Sequence, residues 1–160
     1  MPPEDPYVVL FRRIPVLATL LDQEGCFIDV SDAWVRRTGY TRDALRGARP
    51  EDIATEHSAR RIREELRPCF RRTGRLDNVP VEFRTTDGST LELLVTSTAE
   101  FDAGGLFLHS LSVFTELSDG ARLERRYRGL YHATPAMLHT IDPEGRLTDV
   151  SDHWLERLGY

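Results

Sequence analysis

The chain carries two copies of one sequence pattern, and this internal repeat constrains its fold more than any other feature. Residues 14–40 read IPVLATLLDQEGCFIDVSDAWVRRTGY, and residues 134–160 read TPAMLHTIDPEGRLTDVSDHWLERLGY. The two segments align without gaps at an offset of 120 residues, and 12 of their 27 positions are identical. Chance accounts for only one or two identities, so the chain begins to build the same structure twice.

The offset also sets the length of the repeating unit, because one domain and its connection to the next occupy 120 residues. The chain is therefore divided into an N-terminal helical segment (1–13), a domain (14–116), a helical coiled-coil linker (117–133) and the truncated start of a second domain (134–160). Two strands and one helix cannot bury their own apolar faces. We therefore expect residues 134–160 to be poorly ordered or to pack as a continuation of the connector against another chain, rather than to fold alone as a compact unit.

Turn and capping residues divide the first domain into its elements. Ser31 is a natural helix N-cap, and Asp87-Gly88 is a hairpin signature. Strands are predicted at 16–22, 26–30, 78–86, 90–101 and 106–115, and helices at 32–38, 42–46, 50–53 and 58–72. Pro68 lies inside the longest helix, so a kink or an early end is expected there. The order indicates an α+β domain, in which helices pack on one face of an antiparallel sheet.

Composition narrows the classes of partner. The chain is 40% hydrophobic with a net charge of −5, which gives no electrostatic reason to expect nucleic acid. The apolar run 14–21 is too short for a membrane span. Cys26 and Cys69 show neither metal-type spacing nor a disulfide framework. These features favour a cytoplasmic protein, or a cytoplasmic portion of a larger one.

Several strings in the first domain resemble the PAS family. SDAWVRRTGYTRDALRG at 31–47 is similar to the family's helix motif, RTTDGS at 84–89 resembles its K-D-G-S hairpin, and FTE at 114–116 lies where PAS domains end in Asp-Ile-Thr-Glu. The resemblance covers residues 14–116 and again 134–160. It implies the PAS fold: a five-stranded antiparallel sheet with helices on one face, followed by a linker helix. Val113 replaces the usual Asp, so a polar contact often made there is expected to be absent.

The resemblance implies a sensory and regulatory module of a bacterial signal-transduction protein, such as a multi-PAS sensor histidine kinase or diguanylate cyclase. Such a module is expected to form a homodimer through its N-terminal and linker helices, and to relay a signal to an output domain in the same polypeptide. The chain itself shows no catalytic constellation. Two alternatives stay open: a structural dimerisation or spacer domain without a ligand, and a haem-based gas sensor.

A ligand pocket is expected between the sheet and the helices. Its predicted lining combines apolar residues with one hydroxyl, which could bind a ligand, the backbone or water: Val30, Trp34, Leu45, Ile53, Ile62, Leu66, Phe83, Leu93, Val95, Ser97 and Leu111. Pockets of this kind are mostly apolar with a few polar groups. The ligand itself is not identified.

No cofactor is the expectation from the sequence. Flavin photochemistry in the family needs a cysteine in the short helix before the long one, and the matching stretch 49–54 has none. His57 lies near the position of the iron-binding histidine of haem PAS domains. However, it points about 170° away from the stripe of Ile62 and Leu66, toward solvent.

Overall fold

The computed structural model describes residues 5–159, which fall into two compact units that divide after Glu116. Unit 1 contains α1 (Pro6–Arg13), β1 (Leu17–Leu21), β2 (Phe27–Val30), α2 (Asp32–Thr38), α3 (Arg42–Leu45), α4 (Pro50–Ile53), α5 (Glu56–Arg61), a π-helical segment (Ile62–Leu66), α6 (Arg67–Thr73), β3 (Arg75–Arg84), β4 (Thr90–Phe101) and β5 (Phe107–Glu116). Unit 2 contains α7 (Asp119–Ala133), β6 (His139–Ile141), β7 (Leu147–Val150) and α8 (Asp152–Leu158). Across residues 5–159, no helix is both long and apolar enough to span a membrane.

The strands of unit 1 form one antiparallel sheet in the order β2-β1-β5-β4-β3. The α+β class and the five-stranded antiparallel sheet are therefore confirmed. Strand β3 begins at Arg75, earlier than predicted, because an irregularity between Leu76 and Val79 lets its pairing with β4 continue past Asn78. The core between sheet and helices is apolar and includes Val30, Trp34, Leu45, Ile53, Phe83, Leu91 and Leu93.

The long helix does not end at Pro68 but continues to Thr73. In an α-helix the proline ring would clash with the carbonyl group four residues earlier. Here a π-helical segment precedes the proline, and the Arg67 N–H donates to the Ile62 carbonyl, five residues back. The wider turn lets Pro68 enter the first turn of α6, where its missing N–H does no harm.

The hairpin between β3 and β4 packs against the end of α2. The Asp87 carboxylate accepts hydrogen bonds from the hydroxyls of Thr85 and Ser89 and from the Ser89 N–H. These bonds, that from Thr85 foremost, lower the pKa of Asp87 to about 2. Gly39 ends α2 at φ 82°, and a Cβ there would lie 1.9 Å from the Thr86 hydroxyl oxygen. The position therefore requires glycine.

The buried hydroxyl of Ser31 joins β1 to α2. It accepts from the Trp34 N–H at 3.2 Å, which caps the helix, and from the Ala18 N–H at 3.1 Å. It also donates to the Val16 carbonyl at 2.8 Å. One side chain thus satisfies three backbone groups around a residue that is fully buried.

Replacing Ser31 with alanine is expected to lower the free energy of unfolding by about 2 kcal/mol, because it removes a cap and leaves buried backbone groups unpaired. Ser118 is the matched control, since its hydroxyl caps exposed α7 with one bond from the Ala121 N–H at 3.3 Å. Ser118→Ala should cost roughly 0.5–1 kcal/mol. Urea denaturation followed by circular dichroism measures both, and equal losses would contradict the threefold role of Ser31.

Unit 2 repeats this geometry at the same offset. The β6–β7 pairs His139↔Val150 and Thr140↔Asp149 correspond to Thr19↔Val30 and Leu20↔Asp29 in unit 1. The Ser151 hydroxyl accepts from the Leu138 N–H at 3.1 Å and donates to the Ala136 carbonyl at 2.7 Å. The sequence repeat is therefore also a structural repeat.

The described residues of the second repeat are folded, but they form a compact unit together with the preceding helix α7 rather than alone. Strands β6 and β7 and helix α8 are formed, and α7 packs with α8 in one compact unit. The preceding helix supplies a packing partner that the strand argument left out: Tyr131 is 8% exposed. Much of the apolar surface nevertheless remains exposed, including Met137, Ile141, Leu147 and Leu158.

The structural repeat extends into the helix that precedes each hairpin. In unit 1, Arg12 of α1 donates to the Asp29 carboxylate at 2.7 Å. In unit 2, His132 of α7 is at the equivalent position, with Nε2 at 3.8 Å from Asp149 and Nδ1 at 3.0 Å from Asp152. The same aspartate position therefore faces the N-terminal helix in both units, with a hydrogen bond in unit 1 and a longer contact of 3.8 Å in unit 2.

Candidate ligand-binding cavity

A cavity of about 280 Å³ lies between the sheet of unit 1 and the helical segment that contains the π-turn. All five strands of the sheet contribute residues to its floor, β2 through Phe27 alone. Ile62, Leu66 and Phe70 form the opposite wall, and the turn 22–25 contributes to its mouth. The π-turn that accommodates Pro68 therefore also shapes one wall of the cavity.

The floor carries a row of hydroxyl groups. Thr19 of β1 pairs with Ser112 of β5, and Ser112 pairs with Ser97 of β4, so the three side chains lie side by side across three strands. The Ser97 and Ser112 oxygens are 2.7 Å apart and share one hydrogen bond. Ser110 lies one pair further along β5 and also lines the cavity. We call Thr19, Ser97, Ser110 and Ser112 the hydroxyl row.

The hydroxyl row retains hydrogen-bonding capacity. Each hydroxyl has one donor and two acceptor positions, and the single bond between Ser97 and Ser112 uses only one of their two donors. The side chains of Thr19 and Ser110 make no hydrogen bond to any other residue in the range 5–159. Buried polar groups normally have a partner, so these hydroxyls suit a polar atom inside the cavity.

Aromatic rings occupy both ends of the lining. Phe83 and Phe114 are buried and meet edge to face at a centroid distance of 5.8 Å. Phe107 makes similar contacts with Phe101 at 5.9 Å and with Phe70 at 6.4 Å. Edge-to-face arrangements of this kind are favourable for aromatic side chains, and they leave apolar ring surface toward the cavity.

Charged groups lie at the mouth. The Arg67 guanidinium donates to Glu51, whose side chain is only 6% exposed. Arg67 also lies over the turn of the first hairpin, where a Cβ at Gly25 would be 3.6 Å from its Nε. The Asp22 carboxylate accepts from backbone N–H groups of the same turn. Arg71 lines the cavity and is exposed.

The end of β5 is held to α2 by a two-pronged ion pair. Arg37 Nε is 2.6 Å from one Glu116 oxygen, and Nη2 is 3.1 Å from the other. The hydrogen bond to Glu116 raises the pKa of Arg37 above its ordinary value. This contact lies three residues beyond Val113, at the point where β5 ends.

The predicted pocket residues separate into two sets. Ile62, Leu66, Phe83, Val95 and Ser97 line the cavity. The others belong to the surrounding core or point elsewhere: Val30, Trp34, Leu45, Ile53 and Leu93 are buried outside the lining, and Leu111 is half-buried on the opposite face of β5. His57 is exposed on α5 and does not line the cavity.

Sequence reasoning missed Thr19, Ser110, Ser112 and Phe114. The signal was the alternation in β5, where Ser110, Ser112 and Phe114 share one face and Leu111 and Val113 share the other. Hydrophobicity alone placed Leu111 inward, but the inward face of this strand carries hydroxyls because it borders a cavity. No group of three or more metal-ligating side chains occurs in the described part of the chain.

Comparison with protein families identifies the fold. A PAS domain family model matches residues 15–119, and a second PAS domain model matches residues 125–160. The chain therefore belongs to the PAS family, whose members are sensory and signalling modules. A comparison with curated proteins finds no match.

Solved structures show the same fold at low sequence identity. A PAS domain from Colwellia psychrerythraea superposes with a TM-score of 0.61 at 13% identity, covering 69% of this chain and 93% of that one. A PAS domain from a two-component sensor histidine kinase gives 0.58 at 18%, covering 69% and 93%. A light-oxygen-voltage domain studied with a flavin analogue gives 0.61 at 18%, covering 71% and 87%.

Proposed function

We propose that residues 14–116 are a PAS sensor domain that binds a small molecule in its cavity and relays occupancy to α7. The observation that carries this proposal is the cavity of about 280 Å³, which is apolar except for the hydroxyl row on its floor. Its size is near the lower end of ligand pockets, which span roughly 300–1,000 Å³. The chain acts in this proposal by binding, without a catalytic centre of its own.

The relay runs along β5. This strand places Ser112 and Phe114 on the cavity floor and ends at Glu116, which Arg37 holds against α2. Helix α7 begins three residues later, at Asp119, with Ser118 as its N-cap. A ligand that favours one of two packings of the sheet against the helices shifts their populations, and β5 connects that shift to the start of α7.

The proposal includes a homodimer that forms through helices α1 and α7. Large apolar side chains on α1 and α7 are exposed: Tyr7, Leu10, Leu123, Tyr127 and Leu130. On α7 they recur at spacings of four and three residues, as along a coiled-coil seam. The proposal also places the protein in the cytoplasm and gives the same polypeptide an output domain. It includes no nucleic acid partner.

A thermal-shift series tests ligand binding. We expect at least one of benzene, indole, 2-naphthol and 2-naphthoate to stabilise the 160-residue protein. At ten times its dissociation constant a ligand adds about 1.4 kcal/mol, which raises the Tm of a domain of this size by about 5 °C or more. Hydrogen exchange in residues 119–133 should change in the same samples, and this change should be lost in Arg37→Met.

Two phenylalanine variants on adjacent residues of β4 provide the control. Ser97→Phe fills the cavity floor, whereas the exposed side chain of Thr98 lies on the opposite face of the strand. Ser97→Phe should abolish the thermal shift, and Thr98→Phe should preserve it. If no compound stabilises the wild-type protein, the domain is a spacer rather than a sensor and the proposal fails.

A further inference from the structure

The floor of the cavity has no charged side chain. Among the described residues that line it, every residue contributed by a strand is apolar or carries a hydroxyl. Charged side chains in the lining come only from the turn and the helical wall: Arg67 is already paired with Glu51, Asp22 is bound by its own turn, and Glu24 and Arg71 are exposed. A buried charge without a compensating partner is strongly unfavourable, so the interior disfavours an ionised ligand.

The hydroxyl row sets a second requirement. At least one donor of the Ser97–Ser112 pair and the hydroxyls of Thr19 and Ser110 are available to a polar atom in the cavity. Hydroxyls both donate and accept, so they suit a ligand oxygen such as a hydroxyl or a carbonyl. A wholly apolar ligand would leave these groups unpaired.

The size and shape of the space set the third requirement. An apolar cavity of about 150 Å³ holds one benzene molecule, so about 280 Å³ is room for one or two rings. Phenylalanine rings line both ends of this space, with Phe83 and Phe114 at one end and Phe70 and Phe107 at the other. Flat ring systems pack well against such side chains.

We propose that the ligand is an uncharged, flat molecule of one or two rings whose hydroxyl or carbonyl group hydrogen-bonds to the hydroxyl row. This inference rests on the proposed sensing function, because it names the ligand class of the same cavity. The competing class is an aromatic carboxylate whose charge is held at the mouth by Arg71.

Three probes with one ring system separate these classes. Isothermal titration of the 160-residue protein at pH 7 compares naphthalene, 2-naphthol and 2-naphthoate, of which only 2-naphthoate is ionised at that pH. We expect 2-naphthol to bind about tenfold more tightly than either of the others, as one or two added hydrogen bonds predict. Equal affinity for naphthalene would show that the hydroxyl row is not used, and would overturn the inference.

Alanine variants test whether the preference for 2-naphthol depends on the hydroxyl row of the cavity floor. Ser97→Ala combined with Ser112→Ala should weaken 2-naphthol binding about tenfold and leave naphthalene within about twofold. Thr98→Ala, on the opposite face of the same strand, should change neither. If 2-naphthoate binds most tightly and Arg71→Ala abolishes that binding, the inference of an uncharged ligand is overturned, while the sensor function is supported. Absence of 2-naphthol binding would likewise overturn it, whereas the sensor function fails only when the whole thermal-shift series is negative.

Discussion

Replacing Trp34 with alanine is expected to lower the free energy of unfolding of unit 1 by about 3–5 kcal/mol, the range for large aromatic side chains in a core. The indole is fully buried. Its ring packs against Phe83 at 5.5 Å and Phe114 at 4.7 Å. Alanine would therefore leave a large void beside two of the rings that border the cavity. Urea denaturation followed by far-ultraviolet circular dichroism measures the loss.

The repeat supplies a matched control for this prediction. Trp154 is at the equivalent position of α8 but is only half-buried, so Trp154→Ala should cost about 1–2 kcal/mol. Trp34→Phe is a second test, because Trp34 Nε1 is buried without a hydrogen-bond partner in the described residues. Removing that N–H offsets part of the lost packing, and the cost should stay below about 2 kcal/mol. A loss in Trp34→Ala no larger than in Trp154→Ala would refute the central role of Trp34.

Replacing Arg67 with methionine is expected to lower the free energy of unfolding by about 3 kcal/mol, because a buried carboxylate loses its partner. Glu51 accepts from Arg67 through Oε1, while Oε2 is buried without a hydrogen-bond partner among the described residues. Methionine preserves much of the arginine volume, so the loss reports mainly on charge. The expected loss of about 3 kcal/mol is at the low end of the range for breaking a buried ion pair, because the Arg67 side chain is 21% exposed.

An exposed pair and a double variant complete this test. Arg75 pairs with Asp77, but their side chains are 64% and 55% exposed, so Arg75→Met should cost at most about 0.5 kcal/mol. Glu51→Gln combined with Arg67→Met should be less destabilising than Arg67→Met alone, because no buried charge remains. Similar losses in Arg67→Met and Arg75→Met would show that Glu51 does not depend on Arg67.

The fold was predictable because its signals are local and repeated. The hairpin turn at Asp22–Gly25, the Ser31 cap and the Asp87-Gly88 turn each fix one boundary by short-range chemistry. The path around Pro68 was not predictable in the same way. A proline within a helical pattern signals a break, and only the structure shows that a π-turn accommodates it.

The cavity was predictable only in part because burial does not distinguish a core from a lining. Trp34 and Leu93 are as deeply buried as any residue that borders the space, yet they do not border it. Which buried residues meet a void depends on where the helices stand off the sheet, and that is a property of three-dimensional packing. It was harder still to predict which side chains of β5 point toward the cavity, because hydrophobicity favoured an inward Leu111 over inward Ser110 and Ser112.

The wide turn at Ile62–Leu66 has an evolutionary consequence. Its hydrogen bond spans five residues instead of four, so the turn absorbs one additional residue locally. Suppose that a related protein lacked both Pro68 and one residue of this turn. Helices α5 and α6 would keep their orientation relative to the sheet, but the cavity wall that faces the hydroxyl row would change shape. A change of one residue in length would thus alter the cavity wall without any alteration of the β-sheet scaffold.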